Sequence, residues 1–122
     1  MQVDSSYGAI AVDGADGSII WFHGAGSQEE AERMVVEKSS SPNTAIQVWG
    51  RDSFLAIAVD EDGNYGSAWA ETREAAEVKA LQGCHGPNPK LQLSFHTRRN
   101  EEWRWDGSDA NGSIARRKRK RR

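Results

Sequence analysis

The sequence predicts an α+β fold: a largely antiparallel sheet with two helices, built from two strand-strand-helix-strand repeats. Three observations lead there. The pentapeptide AIAVD is spelled twice, at residues 9–13 and 56–60. Each copy is followed by a turn rich in Gly and Asp, a second strand-like run, and a Ser or Thr opening a helix-forming stretch. With Ser27 laid on Thr72, Ala31 falls on Ala76, Glu32 on Glu77, Val35 on Ala80 and Val36 on Leu81. Two copies are too few for a solenoid, so a closed pseudo-symmetric domain is expected. Helices on one face of the sheet are the simplest packing.

Each element has its own local cause. After the first AIAVD, GADGS is a turn by composition. IIWFHG is a strand of β-branched and aromatic residues closed by glycine. Ser27 and Glu30 form the Ser-x-x-Glu capping box, so SQEEAERMVVEKSS is a helix with Glu29, Glu30 and Glu32 near the positive end of its dipole. Ala31, Met34, Val35 and Lys38 share one of its faces, with the Lys38 stem laid along it. Pro42 disfavours helix in the residue before it, and SSSPN ends the element. TAIQVWG is the next strand, with Ile46 and Val48 on one face and Gln47 and Trp49 on the other.

In the second unit, FLAIAVD is apolar on both faces, as a central strand is. EDGN is a hairpin turn and YGSAWAE a strand. Thr72 caps TREAAEVKALQG, a helix of strong formers with Gly83 at its end. KLQLSFH alternates, placing Leu91, Leu93 and Phe95 on one face. EEWRWDG adds a seventh strand after a turn at TRRNEE, with Trp103 and Trp105 on one side. The domain is expected to span residues 7–106. Residues 107–122 have no apolar content to offset ordering entropy and are expected to be disordered.

These motifs resemble a known family. YGAIAVD, a Gly-containing hairpin, and a Ser or Thr cap leading into EEAE or EAAEVKALQGC are similar to the bacterial family catalogued as domain of unknown function 4189. Its members repeat a GAIA strand, a YG strand and a helix ending near a cysteine. The resemblance covers about residues 7–96 and implies a fold, with no activity attached. Family members commonly carry several cysteines and an export signal. This chain keeps only Cys84, at the end of the second helix, and departs from the family in the rest.

Composition narrows the function classes. The 122 residues carry a net charge of −2 that conceals a division. Residues 107–122 hold seven Arg or Lys and one Asp, a balance of +6, whereas residues 1–106 hold nine Arg or Lys and seventeen Asp or Glu, a balance of −8. The body repels polyanions and the tail attracts them. A single cysteine allows no internal disulfide. MQVDSSYGAI has neither the basic nor the apolar region of a signal peptide, and FLAIAV is too short to span a bilayer. A soluble intracellular protein is expected, nuclear if made in or delivered into a eukaryotic cell and otherwise cytoplasmic.

The tail is the first candidate site. Arg116, Arg117, Lys118, Arg119, Lys120, Arg121 and Arg122 form a phosphate-attracting run, suited to non-specific nucleic-acid binding or to an import receptor. The bland alternative is a solvated, solubilising tail. Such a run confers affinity without sequence choice. Trp49, with Arg51 nearby, is the second candidate, since partner-binding surfaces favour Trp and Arg. The alternative there is a face covered by the chain itself. The other tryptophans are core candidates.

Three weaker patterns are better explained locally. Asp60, Asp62, Asn64 and Glu71 match EF-hand positions 1, 3, 5 and 12, but Tyr65 stands where the loop needs glycine and the flanks are strands. FHGAGSQEE offers backbone N–H groups to an anion, yet Glu29 and Glu30 would repel it. Cys84 beside His85, with His23 and His96 elsewhere, lacks the facing geometry of a nucleophile pair and the spacing of a metal site. No catalytic residues, metal or cofactor are therefore assigned. The expected function is non-enzymatic binding: an acidic domain recognising an unknown protein partner, with a polybasic tail for nucleic-acid binding or nuclear targeting and no membrane contact. The alternative is a small acidic inhibitor or toxin-neutralising, immunity-type protein whose tail is dispensable.

Overall fold

The computed structural model describes residues 5–39 and 41–98 and the backbone of 102–104. The elements run β1 (Tyr7–Asp13), β2 (Ile19–Ala25), α1 (Gln28–Ser39), β3 (Thr44–Arg51), β4 (Phe54–Val59), β5 (Tyr65–Ala70), α2 (Arg73–Gln82), β6 (Lys90–His96) and β7 (Glu102–Arg104). The fold is α+β, with both repeats present in their expected order. The short seventh strand pairs antiparallel with β6. The facing of Trp103 and Trp105, and the basic tail, lie outside the described residues.

The strands form two antiparallel sheets, ordered β2-β1-β3 and β5-β4-β6-β7. They pack face to face. Ile10, Val12 and Ile19 of the first sheet meet Leu55, Ile57, Val59, Leu93 and Phe95 of the second in one buried cluster. On the outer face of the first sheet, Ala9, Ala11 and Ala25 pack against Ala31 and Val35 of α1. On the outer face of the second, Ala56, Ala58 and Ala70 pack against Ala76 and Ala80 of α2. The order is therefore helix, sheet, sheet, helix, and the expectation of both helices on one face of one sheet is corrected. Each central strand is apolar on both faces. Its own helix covers one face, so the other repeat's sheet must cover the other.

That arrangement explains the doubled AIAVD. Its alanines face the helix, where small side chains let the helix approach closely. Its Ile and Val fill the wider space between sheets, where each buried branched side chain contributes about 1.5–3 kcal/mol. Its Asp closes the hairpin. Asp13 Oδ1 accepts from the Ala15 N–H at 2.9 Å and the Ser41 hydroxyl at 3.0 Å. Asp60 accepts from the Asp62 and Asn64 N–H groups, both at 2.9 Å, and from the Gly86 N–H at 2.6 Å. Each Asp thus ties its turn to the loop beyond the helix. The backbone repeats the tie: Gly14 N–H donates to the Asn43 carbonyl and Glu61 N–H to the Pro87 carbonyl, both at 3.0 Å. Gly17 (φ 76°) and Gly63 (φ 86°) take the left-handed conformation each turn needs.

The helices start where the caps predict. Ser27 Oγ accepts from the Glu30 N–H at 3.1 Å, and Glu30 Oε1 reaches back to the Gly26 N–H at 2.8 Å. Thr72 Oγ1 accepts from the Ala75 N–H at 3.2 Å. Lys38 lies over the Trp21 ring and donates to the Trp21 carbonyl at 2.7 Å. No helix among the described residues is long and apolar enough to cross a membrane.

Both third strands depart from simple alternation, and at equivalent places. The β1–β3 register passes from Ile10↔Val48 to Ala11↔Ile46, skipping Gln47. The β4–β6 register passes from Ile57↔Leu93 to Ala58↔Leu91, skipping Gln92. A β-bulge at each Gln reverses the facing of what precedes it. Ile46 and Leu91 consequently pack on the helix sides, while Val48 and Leu93 pack between the sheets. The expected common face for Ile46 with Val48, and for Leu91 with Leu93, is corrected by these bulges.

Candidate functional site: an aromatic cleft at one edge

The edge strands β3 and β5 lie one above the other on one side of the sandwich, where the Ser67 hydroxyl donates to the Gln47 carbonyl at 3.2 Å. A cleft of about 610 Å³ opens there, lined by Tyr7, Gln47, Val48, Trp49, Gly50, Arg51 and Trp69. Trp49 is cross-strand from Ala9, which faces α1, and its indole stacks on Tyr7 with centroids 6.3 Å apart. Trp69 is cross-strand from Leu55, so it points to the inter-sheet side, at the open end of the layer. Trp49 and Trp69 as residues retain 38% and 54% of their accessible surface. Large aromatic surface left in water at a concave edge is costly to a protein that does not use it.

Trp49 and Arg51 are thus placed together in one cleft. The sequence makes Trp69 a core candidate and does not single out Tyr7. Trp69 escapes burial because β5 is an edge strand, a fact of sheet order that no local pattern carries.

Among the described residues, Arg51 is the only charged one of the lining. Its guanidinium makes no hydrogen bond or ion pair among the described residues. The adjacent Asp52 is engaged elsewhere: its Oδ1 accepts from the Ser6 N–H at 2.9 Å and from Arg98 Nη2 at 2.6 Å. The Ser6 N–H, against an opposing push from burial and with help from Arg98, holds the Asp52 carboxyl below its ordinary pKa. The cleft is therefore locally cationic on an acidic body.

The other candidate chemistries are accounted for by structural bonds. Burial pushes the Asp60 carboxyl up, but N–H donors from Asn64, Gly86 and Asp62 outweigh it and hold the pKa low. Those donors occupy the oxygens that a calcium ion would need. Among the described residues no three His, Cys, Asp or Glu are grouped to hold a metal. Glu30 occupies the backbone donor at the α1 start. The Cys84 thiol is directed at the Ala80 carbonyl, 3.8 Å away, and burial together with the Asp60 charge pushes its pKa up, away from the reactive thiolate. His23 packs against Phe95 and His96 against Phe54. The fully buried Ser94 hydroxyl donates to Glu77 Oε2 at 2.7 Å and accepts from Arg73 Nη1 at 2.8 Å, which joins α2 to β6.

The helix-cap spacing, the GAIA-type strands and Cys84 at the end of α2 all lie within residues 7–92, which match the family described as domain of unknown function DUF4189. The chain belongs to the DUF4189 family. The matched stretch contains both central strands, both helices and every residue of the aromatic cleft. No curated protein and no solved structure matches this DUF4189 chain.

Proposed function

We propose that this protein is a non-enzymatic binding protein. Its domain recognises a protein partner through the Tyr7–Trp49–Trp69 cleft, with Arg51 reading an anionic group. The observation that carries this reading is the pair of half-exposed tryptophans on one concave edge, beside a guanidinium with no partner among the described residues. Aromatic and Arg anchors dominate the energetics of protein recognition. The run from Arg116 to Arg122 acts separately, attracting nucleic acid or an import receptor through charge alone.

Two full-length variants separate these roles. Changing Trp49 and Trp69 together to Ala should abolish specific partner capture from host cells while leaving polyanion binding intact. Changing the seven terminal basic residues to Gln should do the reverse, with duplex-DNA affinity collapsing and its salt dependence flattening in fluorescence anisotropy. Capture that is indifferent to the tryptophans sinks the cleft reading. Capture that survives loss of the tail but is lost on reversing acidic residues of α1 and α2 would support the acidic-inhibitor alternative.

A further inference from the structure

The repeat shows how a strand docks on this fold. In the second unit, β6 does not end its sheet: residues Leu93, Ser94 and Phe95 pair antiparallel with Arg104, Trp103 and Glu102 of β7. In the first unit, β3 is the equivalent strand, and its bulge at Gln47 matches the bulge at Gln92. The 45-residue offset that lays Ser27 on Thr72 lays Val48, Trp49 and Gly50 on Leu93, Ser94 and Phe95. These three residues line the cleft, and among the described residues no strand pairs with their outer edge.

Among the described residues, that edge lacks most of the usual protections. β3 is eight residues long, contains no proline and carries a single charge, Arg51. Edge strands are ordinarily blunted by inward charges, Lys, Pro or a covering element. The Gln47 bulge and the contacts of the Gln47 side chain with the Ala45 carbonyl and of Ser67 with the Gln47 carbonyl disturb the edge only at residues 45–47. The stretch 48–51 stays regular, with Trp49 and Arg51 exposed on it.

We infer that the outer edge of β3 takes up an extended segment of a partner protein, antiparallel and in the register of β7 on β6, and that this segment carries a carboxylate two residues before an aromatic residue. This rests on the cleft reading above and names its partner chemistry. In that register the partner's aromatic residue lies opposite Trp49, as Trp103 lies opposite Ser94, and the residue two before it lies opposite Arg51. Charge complementarity selects an acid there, because Arg51 is the only charge of the lining among the described residues. Main-chain pairing supplies affinity, and the side chains on either side of it supply specificity. The sequence of residues 101–105, Glu-Glu-Trp-Arg-Trp, has this chemistry.

The probe is therefore an acetylated and amidated Glu-Glu-Trp-Arg-Trp peptide titrated into the full chain. Binding is followed by isotope-resolved backbone amide signals and amide exchange. The expected result is saturable binding with slowed exchange at alternate residues within 48–51, and loss of affinity on the order of tenfold or more for Arg51→Glu. N-methylation of the peptide in one alternating phase should abolish binding, while the other phase should tolerate it, because only every second N–H of a strand faces a given edge. Binding with no amide protection on β3, or equal tolerance of both N-methyl phases, overturns the inference. So does a concentration-dependent dimer that protects β3 without peptide, which would assign the edge to a second copy. If the peptide fails while partner capture still needs Trp49 and Trp69, this inference falls and the cleft reading stands. If capture is indifferent to both tryptophans, both fall.

Discussion

At the scale of single residues, the repeated Asp closes each unit. Asp60 gathers N–H donors from its own turn and from Gly86 across the fold, and they stabilise the ionised form. A carboxylate with a folded pKa below its unfolded value of 3.8 contributes stability that is complete above that value and is lost as pH falls through the folded pKa. Asp60→Asn should therefore destabilise the protein at pH 7, and the gap to the parent should shrink as unfolding is measured at pH below about 4. A gap independent of pH would mean that the carboxylate charge is not what holds the loop. Cys84 supports a second expectation. With its pKa raised by burial and by Asp60, the thiol should alkylate more slowly at pH 7 than a free thiol does. Alkylation as fast as that of glutathione would contradict the burial.

At the scale of elements, caps and bulges do different work. Thr72 satisfies one of the orphan N–H groups at the start of α2, and Thr72→Ala should cost about 1 kcal/mol in denaturant unfolding. The cap is readable because it is local: a hydroxyl and a donor three residues apart. Gly66 shows a demand that is not local. A Cβ there would fall on the Ala80 carbonyl oxygen of α2 and within 2.8 Å of the Cys84 backbone nitrogen. Gly66→Ala should thus force α2 off its sheet and lower the melting temperature by more than Thr72→Ala does. The bulges at Gln47 and Gln92 belong to the same class. An alternating sequence such as KLQLSFH reads as one apolar face. Only the partner strand, by pairing Ile57 with Leu93 and Ala58 with Leu91, reveals that the face changes.

At the scale of the whole molecule, the two repeats share one core. Leu93 of the second unit is fully buried against residues of the first. Leu93→Ala should cost about 2–5 kcal/mol. Because the inter-sheet cluster has no boundary between repeats, amide exchange in α1 and α2 should accelerate together in this variant. Faster exchange in α2 alone would show two separately stable units. The charge division also belongs to this scale: on the proposed reading, a partner's acid would be steered to Arg51 by contrast with the acidic body around it.

The element order, the repeat, the helix starts at Ser27 and Thr72 and the central position of β4 followed from the sequence alone, since period, caps and turns are written within a few residues. The sequence also marked Trp49 and Arg51 as neighbours, because they stand two residues apart; that β3 runs on to Arg51 is a finding of the structure. Tertiary structure decided that the six repeat strands divide into two stacked sheets. It decided that AIAVD turns alanine to the helix and Ile and Val to the other repeat, and that Trp69 joins Trp49 at an open edge. The physical reason is that a strand apolar on both faces states that it needs two covers without stating which ones. The covers are chosen by burial among residues far apart in the chain, and the leftover edges, with whatever aromatic surface they carry, are fixed only once that choice is made.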